Sequence, residues 1–210
     1  MAEPEPRKSP SRPVAGSKPH ERYTIRRKLL KVLGAAFHVY ATDGMLVAYC
    51  QQKAFKLRED IRLYTDESKS IELFSLKARS VLDFSTTYDV ALPTGESLGS
   101  LRRKGLKSTF LRDQWLIFDA EGRDAAEIKE KNATLAMLRR LNDAVATFAP
   151  QTFEVFRPGE TTPIARFRQH FNPIVFRMGV EIIDDSDLIV DELVILAAAC
   201  LISAIEGRQD

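Results

Sequence analysis

From Tyr23 onward the apolar residues of this chain fall on alternate positions, in short runs broken by glycine, proline and acidic residues. In FHVYATDGMLVAYC, Phe37, Val39 and Ala41 precede Asp43-Gly44, and Leu46 and Ala48 follow it. A period of two places such residues on one face of a strand. Asp-Gly between two such runs predicts a tight hairpin, because both turn positions must tolerate positive φ. The plan recurs. IRLYTDESKSIELFSLKA turns across Asp66 to Ser70, YDVALPTGESLGSL at Pro93-Thr94-Gly95, WLIFDAEGRDAAEIK at Ala120-Glu121-Gly122, and FEVFRPGETTPIARF at Pro158-Gly159. QHFNPIVFRMGVEI breaks at Asn172-Pro173 and resumes as a strand. The pattern predicts about a dozen antiparallel strands, mostly joined by hairpins, at the spacing of a sandwich or a barrel.

Two segments depart from this rhythm. NATLAMLRRLNDAVATF carries Leu135, Leu138, Leu141 and Val145 at helical spacing, with Arg139, Arg140 and Asp143 off that stripe. It predicts an amphipathic surface helix from about Ala133 to Thr147, stopped by Pro150. The second is DLIVDELVILAAACLISAIEG, where only Asp191, Glu192 and Ser203 are polar between Leu188 and Ile205. As a helix it would extend about 27 Å, close to the ~30 Å apolar slab of a bilayer. Its flanks argue otherwise. EIIDDSD upstream is acidic, Gly-Arg-Gln-Asp follows, and neither side offers the aromatic and cationic anchors of a membrane span. Asp185 or Ser186 can cap its start, Asp187 and Asp191 suit its positive end, and Gly207 suits a left-handed C-terminal cap. A helix apolar all round is buried on all sides. A closed sheet of about twelve strands is too wide for its own side chains to fill, and such a helix would fill it. The expected fold is mainly β: a closed antiparallel barrel of about twelve strands around a buried hydrophobic C-terminal helix, with one amphipathic surface helix and no transmembrane segment.

Residues 1–21 read differently. MAEPEPRKSPSRPVAGSKPH holds five of the ten prolines and almost no large apolar side chain. It cannot repay its ordering entropy, so a disordered basic tail is expected over 1–21, followed by a barrel domain over 22–210. Cys50 and Cys200 are far apart and outside any metal-ligand spacing, which fits a reducing compartment. No signal-type apolar stretch opens the chain. The expected location is cytoplasmic, with peripheral docking at a membrane.

A net charge of +2 is too small to announce a nucleic-acid binder. The charges are nevertheless segregated. Arg22, Arg26, Arg27, Lys28 and Lys31 form one acid-free run. Arg102, Arg103, Lys104, Lys107 and Arg112 form another, and Lys53, Lys56 and Arg58 a third. By contrast, Glu181, Asp184, Asp185, Asp187, Asp191 and Glu192 follow one another with no base between. Segregation of this kind produces a strong local field at little net charge.

Seven stretches, in order, resemble the LURP-one-related family of the tubby C-terminal-like superfamily, to which the phospholipid scramblases also belong. They are YTIRRKLL (23–30), KAFKLREDIRLYTDE (53–67), LKARSVLDFSTTYDV (76–90), GSLRRKGLKS (99–108), RDQWLIFDAEGR (112–123), FNP (171–173) and SAIEGRQ (203–209). The resemblance implies a twelve-stranded, scramblase-like barrel around a hydrophobic C-terminal helix. It implies little about activity. Tubby proteins bind phosphoinositides through a basic surface pocket, but no lipid-binding residue carries over position by position. Scramblases carry an acidic calcium-binding segment before their last helix, and Asp184, Asp185 and Asp187 resemble it loosely, as weak calcium candidates. The same acids also serve as helix caps.

LRRKGLKS is the leading candidate site. Arg102 and Lys104 share one strand face and Arg103 takes the other. Gly105 permits close approach of a ligand, and Lys107 and Ser108 re-present a cation and a hydroxyl. Fixed cations beside a glycine and a hydroxyl suit a phosphate oxygen. The run fits a solvated hairpin end equally well, its cations blunting a sheet edge. It lacks the glycine pattern of a nucleotide phosphate loop. Catalysis finds no constellation: His20 lies in the tail, His38 in a strand and His170 before a turn. Trp115 reads as core, and Cys200 as an inert buried thiol. No cofactor is implied. The expectation is a non-enzymatic module binding an anionic phospholipid, a phosphoinositide or another phosphate-bearing ligand through Arg102, Arg103, Lys104, Lys107 and Ser108. The alternatives are a scaffold with a protein partner and scramblase-like lipid translocation.

Overall fold

The computed structural model describes residues 20–30, 34–52, 60–80, 86–104, 114–131, 151–170, 175–184 and 190–206. Twelve strands form one antiparallel sheet that closes on itself. They are β1 (Tyr23–Leu30), β2 (Gly34–Ala41), β3 (Leu46–Gln52), β4 (Asp60–Tyr64), β5 (Glu72–Ala78) and β6 (Thr87–Ala91), followed by β7 (Ser97–Arg103), β8 (Gln114–Phe118), β9 (Asp124–Glu130), β10 (Thr152–Phe156), β11 (Pro163–His170) and β12 (Phe176–Ile182). Each strand pairs with its neighbours in sequence. The seam is β1 against β12, with Tyr23 opposite Val180 and Arg27 opposite Phe176. One helix, α1 (Glu192–Glu206), follows the last strand.

Alternation does what the sequence pattern requires. Phe37, Val39, Ala48, Ile61, Leu63, Phe74, Leu76 and Leu101 point inward and are buried. The hairpin turns lie where the glycine and proline runs place them. At Asp43-Gly44, Gly44 adopts φ +87°, and the Asp43 carboxylate accepts the Met45 N–H at 2.9 Å. The break at Asn172-Pro173 and the amphipathic segment 133–147 lie outside the described residues.

The core is completed from within. Residues Val194 to Ala204 of α1 are all buried, small alanines alternating with Ile195, Leu196, Leu201 and Ile202. The helix packs against β1, β7 and β12, so it runs along the inside of the barrel rather than over its surface. This is the arrangement expected of an apolar helix enclosed by a wide sheet. No helix among the described residues is long and apolar enough to cross a membrane.

The start of α1 departs from the expected one. The helix begins at Glu192, not Leu188, and its cap is Asp191 rather than Asp185 or Ser186. The Asp191 carboxylate accepts the Leu193 N–H at 2.6 Å, and its carbonyl accepts those of Val194 and Ile195. An acid whose side chain and carbonyl both satisfy first-turn donors marks the boundary more firmly than apolarity does.

Leu201 is fully buried at the centre of this plug. Leu201→Ala is expected to destabilise the protein by about 2–5 kcal/mol in urea unfolding, with an unchanged far-ultraviolet spectrum. Ala199→Leu should cost about 1–3 kcal/mol by overpacking the same axis.

Candidate functional site

The cationic run on β7 splits as alternation demands. Arg102 is exposed, its guanidinium 4.7 Å from the centroid of the Phe118 ring. Arg103 is partly buried, 5.8 Å from the centroid of Trp115, which is itself core. Lys104 is exposed, and its ammonium donates to Gln114 Oε1 at 3.3 Å. So Arg102 and Lys104 face solvent, whereas Arg103 is spent partly on the interior. Lys107 and Ser108 lie outside the described residues.

The two main basic runs lie on opposite walls, because β1 and β7 are diametrically placed in the closed strand order. What they share is an end. All odd-numbered strands run the same way, so β1, β3, β5, β7, β9 and β11 finish at one rim. At that rim the described residues place Arg79, Arg103, Lys104 and Lys131. Lys31, Lys53, Lys56, Arg58, Lys107 and Arg112 lie outside the described residues, in the sequence between these strands and the next. The opposite rim is built from short hairpin turns. It carries Asp43, Asp66, Glu67, Glu96, Asp119, Glu121, Glu160, Asp184 and Asp191. Asp60 and Glu130 share the first rim, and Lys69, Arg123 and Arg157 the second, yet among the described residues cations are in excess at one end and acids at the other, a polarity that a net charge of +2 conceals.

The helix lies along this polarity. Its N-terminus sits at the acidic rim, where Glu192 accepts from the Tyr23 hydroxyl at 2.6 Å and from Arg22 at 3.1 Å. Its last turns meet Arg27, a buried guanidinium that points inward, lies over Phe37 and donates to the Ser203 carbonyl at 3.3 Å. Acids at the positive end and a cation at the negative end both favour the helix. Arg27 thus belongs to the core and is not available to a ligand. Burial, together with the bond and the charge of Glu192, pushes the Tyr23 hydroxyl up to about 12.

The remaining candidates separate clearly. Asp184 is held by Arg157 at 3.0 Å, while Asp185 and Asp187 lie outside the described residues. Among the described residues no group of three acids, histidines or cysteines is placed to hold a metal. His38 is buried on β2, with Nε2 2.6 Å from Glu67 Oε1 and its ring against Tyr40 and Tyr49. Cys50 and Cys200 are buried free thiols. Burial raises Cys50 to about 12 and drives Cys200 upward as well, so neither forms a ready nucleophile.

Sequence reasoning missed Glu21, placed at the end of the predicted tail. It is buried, and its Oε1 lies 2.6 Å from His170 Nε2. The partners are far apart in sequence, and no local signal links them. His170 is the last residue of β11, and its ring serves that contact.

Residues 46–202 match the family model described as LURP-one-related. An X-ray structure of an Arabidopsis thaliana protein is similar at 14% identity, covering 85% of this chain and 91% of that one, with a TM-score of 0.42. No curated protein matches the sequence.

The Tyr23–Glu192 bond ties the first strand to the helix start. Tyr23→Phe should cost about 1.5–3 kcal/mol at neutral pH, the range for a hydrogen bond to a charged group. Because the folded hydroxyl titrates higher than an unfolded one, its contribution is complete below about pH 10 and disappears as pH rises towards 12. Urea unfolding of wild type and Tyr23→Phe across pH 8–12 should show the two converging at the alkaline end.

Proposed function

The chain belongs to the LURP-one-related family, and we propose that it works as a non-enzymatic binding module that docks a phosphate-bearing, anionic surface on the basic rim of its barrel. The carrying observation is that β7 ends with exposed Arg102 and Lys104 at the rim where Arg79 and Lys131 also lie, while acids predominate at the opposite rim. Arg102 and Lys104 are the solvent-facing cations of this rim on β7, with Lys107 and Ser108 next along the chain. Arg103 acts as their support, stacked on Trp115. An anionic lipid headgroup suits this geometry, because a rim meets a planar membrane with many cations at once. Each cation near an anionic membrane contributes about 1 kcal/mol, so several suffice for reversible docking. The opposed charge at the far end would orient the barrel as it approaches. Lipid translocation by α1 would require the barrel to surrender its own core, which makes docking the better reading.

A protein partner is the second reading, favoured by a different place. The large apolar side chains most exposed among the described residues are Met45, Ile71 and Ile183, all at the acidic rim. Apolar groups among acids suit a partner that presents apolar and basic residues together. The two readings use opposite ends of the barrel and are compatible.

Vesicle co-sedimentation tests the first. Full-length protein should pellet with phosphatidylcholine vesicles containing 5 mol% (about one lipid in twenty) phosphatidylinositol 4,5-bisphosphate, and release with rising salt. Arg102→Glu with Lys104→Glu and Lys107→Glu should weaken this at least ~10-fold, given about 1 kcal/mol per cation. Binding that is unchanged by the triple reversal rules out this rim as the docking surface.

A further inference from the structure

The ring of strands is not zipped evenly. Among the described residues β3 and β4 share one register pair, Tyr49 opposite Tyr64. Every other neighbouring pair in the ring shares four or more. A join without its ladder needs other bonds to hold it.

Those bonds come from the β4–β5 turn, which reaches back over the outside of β2 and β3. Phe37 and Val39 of β2 face the core, so His38 faces outward, as does Tyr49 opposite it on β3. Both are nevertheless only 7% exposed. Their ring centroids lie 4.9 Å apart, and Tyr40 stacks on His38 at 6.1 Å. Glu67, on the turn, meets this pair. Its Oε1 lies 2.6 Å from His38 Nε2, and burial, followed by the charge of Glu67, raises the Tyr49 hydroxyl. Lys69 adds a second tie by donating to Gln51 Oε1 at 3.0 Å. It is also the one non-glycine residue at positive φ among the described residues, at +57°. Such a backbone is costly for a residue with a Cβ and persists where its surroundings hold it.

The histidine makes the first tie matter. Its other ring nitrogen, Nδ1, is buried with no hydrogen-bond partner. Among the described residues Glu67 is therefore the one group that satisfies the ring, and losing it would leave a buried imidazole wholly unpaired. The acid is 67% exposed while the base is 8% exposed, so the contact can be broken from the solvent side. Inside the join stands Cys50, next to Tyr49 on β3, core-facing and 1% exposed. Behind it is Cys200 of the plug, near enough for Cys50 to push its thiol upward beyond the effect of burial.

We propose that the Asp66–Ser70 turn is a strap that shuts the barrel wall between β3 and β4, with Glu67 on His38 as its latch, and that the wall opens at this join to expose the Cys50 thiol and the flank of the plug behind it. The docking reading rests on the end of β7 and stands apart from this device.

Labelling of the folded full-length protein with N-ethylmaleimide, read by peptide mass, tests this. Wild-type Cys50 should react slowly, at a rate almost unchanged by low urea, because opening one join exposes little surface. Glu67→Ala should speed it at least ~5-fold, and Glu67→Ala with Lys69→Gly at least ~10-fold, on the scale of one and two solvent-accessible contacts. Glu67→Gln keeps an oxygen for the ring and should stay near wild type. Arg123→Ala breaks an exposed ion pair with Asp119 in another hairpin and should change nothing. Labelling that follows urea as steeply as global unfolding, a smaller acceleration in Glu67→Ala, or an equal one in Arg123→Ala overturns the proposal. Should the Glu67 variants lose their thermal transition, hydrogen exchange of the wild type decides. The join-facing amides of β3 and β4 should then exchange faster than those of the fully laddered β10 and β11, and equal protection overturns the proposal.

Discussion

A closed sheet of twelve strands encloses more space than its inward side chains can occupy, and the structure depends on how that space is filled. The solution is a helix whose every side is apolar, made narrow by alanine at Ala197, Ala198, Ala199 and Ala204. That helix would be insoluble by itself, and the sheet alone would hold a void. Each removes the other's liability. Among the described residues of the helix, Ser203 is the one buried polar side chain; it donates back to the Ala199 carbonyl at 2.7 Å and contacts the Met178 sulfur, so it imports no unsatisfied donor.

The helix also orders the charges. Its dipole points from the basic rim to the acidic rim, and each rim supplies the sign that its terminus prefers. Part of the polarity therefore serves stability, as Arg27 does by meeting the Ser203 carbonyl. The surplus is what can act on a ligand. Arg102 and Lys104 are exposed and contribute little to the core, unlike Arg27 and Arg103, which is why the docking proposal rests on them.

How much of this was legible in the sequence depended on distance along the chain. The glycine turns and the period-two strands were readable because a hairpin is decided by neighbouring residues, as at Asp43-Gly44. The buried helix was readable because eleven consecutive buried positions leave no polar face. Its start was not, since Asp191 and Asp185 are equally good caps until the path from the wall to the axis is known. That β1 and β7 stand on opposite walls, so that their basic runs do not share a face, was hidden for a topological reason: it follows only from the closed strand order. Glu21 and His170 were hidden more deeply, because their contact requires the barrel to have closed and Gly179 to be bare.

The seam between β1 and β12 has a consequence for how the molecule is made. It joins Tyr23–Arg27 to Phe176–Val180, so two unpaired strand edges persist until both stretches have left the ribosome. The axial helix is synthesised later still. Pairing of consecutive strands can proceed as the chain grows, but the β1–β12 seam and the plug come last and across the longest sequence separation, the part of folding most exposed to aggregation. Until the seam closes and the plug is in place, both strand edges and the apolar inner face remain open to pairing with other chains.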